Sequence, residues 1–280
     1  MDILSALQFA FIRRAIIAGS FIALVCSLLG VLLVLRRYSL IGDGLAHVTF
    51  GSVALGLFLR QHPLFVAIPV VMMSSLGILK LTQKAKIYGD AAIGIVSSLG
   101  IALGVLIASI SGGFNIDLFS FLFGNILSIT DVEVYISIGL SVAVLSMIFF
   151  FYYEHLSSTF DEEFARVSGI NTERINTILV VLTGITVVLT MKVVGIMLTS
   201  SLLILPAVTA LQFARGFRGT MVISSWVAVL SVIAGISFSF VMNIPTGATI
   251  VLMNFIFFLC AFLYRHIRRG EMHWPAIFTS

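Results

Sequence analysis

The chain is a succession of apolar runs, each about as long as a helix needs to cross a hydrocarbon layer, separated by short stretches that carry most of its charge. Lipid admits only helices and closed barrels, because no water is present to satisfy a free backbone N–H or C=O. Measured against a span of about 20 residues, the runs give roughly eight or nine crossings. Nothing shows the ten-residue alternation of a barrel strand. The expected fold is all-α, a polytopic helical membrane bundle in the plasma (inner) membrane. Composition agrees, since 60% of the 280 residues are hydrophobic and 10% charged, with a mean hydropathy of +1.16. An ordinary soluble domain is excluded. Cys26 and Cys260 both sit inside apolar runs, so packing explains them better than a disulfide or a thiolate cluster. The net charge of +4 is better explained by basic loops facing the cytoplasm than by nucleic acid.

Residues 1–14 look like a short interfacial lead-in helix, followed by a first span over 15–35 that stops at Arg36 and Arg37. No small-residue cleavage pattern follows that span, so it reads as a retained helix. A second span ends at Arg60, a third opens at Pro63 and closes near Lys80, and a fourth covers 91–110. Gly100 and Gly104 in the fourth form a small-xxx-small pair that permits close helix packing. The stretch 111–133 is broken by Gly, Asn and Asp and reads as a re-entrant or interfacial segment of short helices. Further spans are expected over 134–152, 177–191, 193–213, 222–242 and 248–264, with little more than Lys192 between the second and third of these. Pro245 and Gly247 mark an extracellular turn. Residues 1–270 form one transmembrane domain without an internal repeat, and 271–280 form a tail. The loop carrying Lys80, Lys84 and Lys86 is expected in the cytoplasm, as are Arg36 and Arg37, Arg215 and Arg218, and the basic carboxyl end. That order leaves Arg13 and Arg14 outside, against the same rule.

Asp43 and His47 stand four residues apart at the start of the second span, so on a helix they share one face. An ionisable pair inside a span is costly and points to a substrate path. A carboxylate and an imidazole so placed can share one cation, and Gly42 and Gly44 would let the backbone depart from a regular helix around them. The competing account makes Asp43 a helix N-cap and His47 a hydrogen-bonded core residue. Two ligands alone are weak evidence for a metal. His62, His155, His266 and His273 fall in loops or tails, where solvation suffices to explain them. The most polar segment, 153–176, is expected to hold a short helix capped by Ser158 or Thr159, opened by Asp161, Glu162 and Glu163, and ended by Gly169.

Several stretches together resemble one family. LGVLLVLRRYSLIGDGLAHVTFGSVALG, DLFSFLFGNILSIT, DEEFARVSGI, MKVVGIMLTSSLLILPAVTALQFAR and IPTGATIVL run in the order found in permease subunits of bacterial ATP-binding-cassette importers for zinc, manganese and iron, the zinc-uptake branch most of all. The resemblance implies a homodimer of permeases, two cytoplasmic ATPase subunits and an extracytoplasmic metal-binding protein. It makes Asp43 and His47 part of the metal path, with no permanently bound cofactor, Zn2+ as the favoured cargo and Mn2+ or Fe2+ as alternatives. It makes Asp161, Glu162, Glu163, Ala165, Arg166 and Gly169 a coupling helix that docks on the ATPase, against the alternative of a solvated acidic linker. Gly195 and Pro206 become candidates for a gate or kink. Pro206 would free a carbonyl, with Thr199, Ser200, Ser201 and Thr209 near enough to compensate, and a plain packing kink serves as well.

Two other classes compete with transport. An intramembrane protease would need an HExxH helix or a Ser/His constellation, and neither occurs. The chain has no Gly-Lys dipeptide and therefore no P-loop, so active transport would need ATP to be held by a separate subunit. A purely structural subunit would not need Asp43 and His47.

Overall fold

In a computed structural model, residues 9–111 and 116–268 are described. Most of the expected lead-in helix, the tail at 271–280 and His273 lie outside the described residues. Among these residues twelve α-helices follow one another: α1 Ala10–Leu35, α2 Ile41–Phe58, α3 Pro63–Gln83, α4 Gly89–Ile110, α5 Ile116–Phe123, α6 Asp131–Phe150, α7 Tyr152–Phe160, α8 Glu162–Val167, α9 Thr172–Thr190, α10 Thr199–Phe213, α11 Phe217–Met242 and α12 Thr246–Arg268. Among the described residues there is no strand. Nine of the segments are long and apolar enough to cross a membrane: α1 to α4, α6, α9, α10 with the 3-10 turn before it, α11 and α12. The short α5 and the 3-10 turn Ile126–Ser128 occupy the stretch read as re-entrant or interfacial.

Two expectations about the course of the chain are corrected. First, no helix breaker separates residue 10 from residue 35, so Arg13 and Arg14 belong to the opening turns of α1 and not to a lead-in helix. Arg14 is held there by Asp131, 2.5 Å away at the start of α6. Second, α9 and α10 are parted by eight residues and not by Lys192 alone, because Gly195 takes φ +94, a conformation no L side chain adopts without strain. Helix α10 contains Pro206 and continues beyond it, and Thr199 and Thr209 donate to the carbonyls of Gly195 and Leu205. The irregularity lies at Gly195, where an added Cβ would fall 2.5 Å from the backbone of Gly124 and Leu122.

Helices α1 and α2 are the most buried, and α4 is the least. The glycines of α4 set its crossing with α2: a Cβ on Gly100 would lie 2.8 Å from the Cα of Val48, and one on Gly104 would lie 2.6 Å from the ring of Phe50. Close backbone contact of this kind replaces the hydrophobic drive that is missing between helices in lipid. Several hydroxyls in the bundle interior satisfy themselves on their own helices, as when Thr49 donates to Leu45 O, Thr183 to Leu179 O and Thr186 to Leu182 O. Hydrogen bonds from Arg36 to Thr159 and Asn176, and from Asn176 to Glu162, gather the α1–α2 turn, α7, α8 and the start of α9 at one end. The Arg14–Asp131 pair and Gly195 lie at the other.

Candidate functional site

Helix α2 begins with Leu40 at the N-cap position and no side-chain capping bond. Asp43 is therefore a residue of the first helical turn and not the N-cap. Its carboxylate there is favoured by the helix dipole. The backbone stays helical through Gly42 and Gly44, and these glycines serve contact: a Cβ on the first would meet Leu203 and on the second Ile93. From Ile41 to Ala54 every residue of α2 is buried except Asp43 and His47.

The two side chains open on one window. Asp43 Oδ2 and His47 Nε2 are 3.6 Å apart, with the Asp side chain 51% exposed and the His side chain 23%. That is too far for a hydrogen bond. Two ligands of one tetrahedral ion, at bond lengths of about 2.0–2.2 Å, stand about 3.4 Å apart. The buried Nδ1 of His47 has no partner. Among the described residues no group of three or more His, Cys, Asp or Glu side chains comes together, so one copy of the chain offers this pair.

At the second candidate element, Asp161 caps α8, accepting from Phe164 N at 2.9 Å. The cap is two or three residues later than the expected Thr159 or Ser158, which lie in the preceding α7. Glu162 and Arg166 pair across one turn at 3.6 Å. Ala165 is fully buried and anchors the helix. Gly169 at φ +87, with Gly169 N bonded to Arg166 O and Ile170 N to Ala165 O, ends it as a Schellman motif. Phe160, Phe164 and Val167 stand out from this end of the molecule, Val167 88% exposed.

A polar network joins this helix to α2. Arg36, half-buried in the five-residue turn between α1 and α2, donates from Nε to Thr159 Oγ1 at 2.9 Å, from Nη2 to His155 O at 3.3 Å, and from Nη1 to Asn176 Oδ1. Asn176 Nδ2 in turn donates to Glu162 Oε1 at 3.4 Å. His155 is not solvated, as its loop position had implied. It is buried in α7 with both ring nitrogens unpartnered. Burial first, and the nearby Arg36 charge second, push its imidazole down to about 4.

At the opposite end Glu133, 4% exposed, closes a capping box with Thr130 and receives Lys192 Nζ at 3.3 Å. His62 Nε2 lies 3.6 Å from the same carboxylate, so this histidine too is more than a solvated loop residue. Lys192 also rests over the ring of Phe121 at 4.5 Å. The sequence reading missed this cap, although the T-x-x-E spacing at 130–133 carries its signal. Nothing local marked the partners of Arg36.

Residues 8–265 match the ABC 3 transport family. The chain belongs to this family. It is 33% identical over 257 residues to the high-affinity zinc uptake system membrane protein ZnuB of Haemophilus influenzae, covering 91% of this chain and 98% of that one. It is 32% identical over 258 residues to the manganese transport system membrane protein MntC of Listeria monocytogenes, covering 92% of each. Its fold is similar to PsaBC from Streptococcus pneumoniae in complex with Fab, with a TM-score of 0.84 and 31% identity over 93% of this chain and 94% of that chain. As an ABC 3 family member with nine apolar spans, it is a multi-pass bacterial membrane protein and the permease component of a transport system.

Proposed function

We propose that the chain is the permease of an ATP-driven importer that carries a divalent transition-metal ion into the cell, with Asp43 and His47 as a transit site. The observation that carries this is the window on α2. Along fourteen residues of an otherwise buried helix, the two that reach open space are the carboxylate and the imidazole, spaced as two ligands of one ion. A pathway needs ligands that replace part of the hydration shell without trapping the ion, and a pair leaves positions for water or for a second protomer. Zinc is the favoured cargo, because imidazole with carboxylate suits it and the affinity order ranks it above manganese and iron. Manganese or iron is the alternative, and the relatives are named for zinc and for manganese at almost equal identity.

The exposed apolar side chains of α8 with Glu163 and Arg166 beside them suit docking on a separate ATPase. On this account the α8 end faces the cytoplasm and the protein works as a homodimer with two ATPase subunits and an extracytoplasmic metal-binding protein. The test is metal-resolved uptake at matched expression. Asp43→Asn and His47→Ala should each remove most zinc uptake, at least tenfold, while ATPase binding is kept. Wild-type accumulation of zinc, manganese and iron by both variants would place the path elsewhere.

A further inference from the structure

Arg36 and Arg37 are adjacent and alike in sequence, but the structure uses them differently. Arg37 takes φ +60 at the turn and its side chain is exposed. Arg36 turns inward and its guanidinium reaches two separate elements, α7 through Thr159 and His155 O and α9 through Asn176. Asn176, itself buried, passes the connection to Glu162 in α8. The turn that carries Arg36 has little slack. Tyr38 N is bonded to Leu33 O at 2.8 Å, Ile41 N to Tyr38 O, and Gly44 N to Leu40 O. Asp43 follows seven residues after Arg36 on the same rigid stretch. A planar guanidinium with fixed donors holds its partners in one relative geometry, as a flexible ammonium does not.

We propose that Arg36, with Asn176, is a positioning residue that carries movement of the α7–α8 unit into the start of α2, and so to the Asp43–His47 pair. This rests on the docking role given above to α8. The chain of contacts is Glu162, Asn176, Arg36, the α1–α2 turn, Asp43. Movement at one end is transmitted because each link is a directed hydrogen bond in a partly desolvated site or a short bonded turn.

The experiment uses the assembled transporter in proteoliposomes and reads ATP hydrolysis and zinc uptake together. Arg36→Lys keeps the charge but loses the fork. Asn176→Asp keeps an acceptor for Arg36 but sets a carboxylate against Glu162, so it cuts the second link alone. Both variants should bind the ATPase, hydrolyse ATP at the basal rate and melt near the wild-type temperature, while zinc moved per ATP falls at least tenfold. Arg37→Asn, which tolerates the same left-handed backbone, should leave the ratio unchanged. An unchanged ratio in both Arg36→Lys and Asn176→Asp overturns the proposal. Parallel loss of folding, ATPase binding and uptake also overturns it, since it would make the network a brace. The docking reading fails separately: it does so when the ATPase stays bound at full strength to the double variant Glu163→Ala with Arg166→Ala.

Discussion

Glu133 shows what a single buried charge demands. Its carboxylate is 4% exposed and Lys192 is the nearest full positive charge, 3.3 Å away. Removing one partner of a buried pair strands the other, at a cost of about 3–5 kcal/mol. Lys192→Met should therefore lower the thermal midpoint of the detergent-solubilised permease clearly, and adding Glu133→Gln should recover much of the loss. Equal midpoints for the single variant and the wild type would show that the Thr130 cap alone sustains the carboxylate. His155 makes a second prediction. Its folded-state value of about 4 lies below the 6.5 of a free imidazole, so the unfolded chain binds the extra proton between these values. The stability it contributes is complete above pH 6.5 and is lost as pH falls toward 4. His155→Leu should flatten that acid limb relative to wild type in pH-dependent melting, and an unaltered limb would assign the loss to other groups.

Between helices, backbone contact decides more than side-chain bulk does. A Cβ on Gly100 would meet the backbone of Val48 at 2.8 and 2.9 Å, atoms that cannot swing aside, whereas one on Gly94 meets nothing within 4 Å. The same change should then act in opposite senses on one helix. Gly100→Ala should destabilise the isolated permease by forcing α2 and α4 apart, while Gly94→Ala should be neutral or gain up to about 1 kcal/mol from helix propensity. Equal melting of the two variants would refute the crossing. These elements were largely legible in advance. A run of about 20 apolar residues admits few structures in lipid, and a four-residue spacing placed Asp43 over His47. What stayed hidden depends on distant partners. The atoms that draw Arg36 inward come from residues 119 to 140 positions away, and no local pattern tells it from Arg37. Likewise the backbone at Gly195 runs so close to Gly124 and Leu122 that an added Cβ would lie 2.5 Å from them, a contact between distant residues that a linear reading, with little more than Lys192 between the two spans, did not show.

Across the whole molecule the charges divide by end. Arg36, Arg37, Lys80, Lys84, Lys86, Arg166, Arg174, Arg215, Arg218 and Arg265 belong to the turns and helix ends on the α8 side, and Arg13, Arg14, Arg60 and Lys192 to the opposite side. Basic loops stay in the cytoplasm, so an impermeant thiol reagent applied to intact cells should spare a cysteine placed at Lys84 and label one placed at Ile244. Labelling at Lys84 would invert the arrangement.

The pair between Arg14 and Asp131 also sets an order of events in time. With the α8 end in the cytoplasm, as proposed, the first span carries its arginine to the far side of the bilayer before the aspartate that pairs with it has been made. They are 117 residues apart, which at a synthesis rate of about 5–20 residues per second leaves Arg14 without its partner for roughly 6 to 23 s. During that interval the nascent α1 has two arginines on the side that the charge rule disfavours, and only its apolar length and the basic residues behind it argue for the final orientation. The arrival of Asp131 then adds a pair whose side chains are 34% and 63% exposed, worth about 1 kcal/mol at most, so the orientation of α1 has to be settled by the earlier spans and only trimmed by the sixth helix.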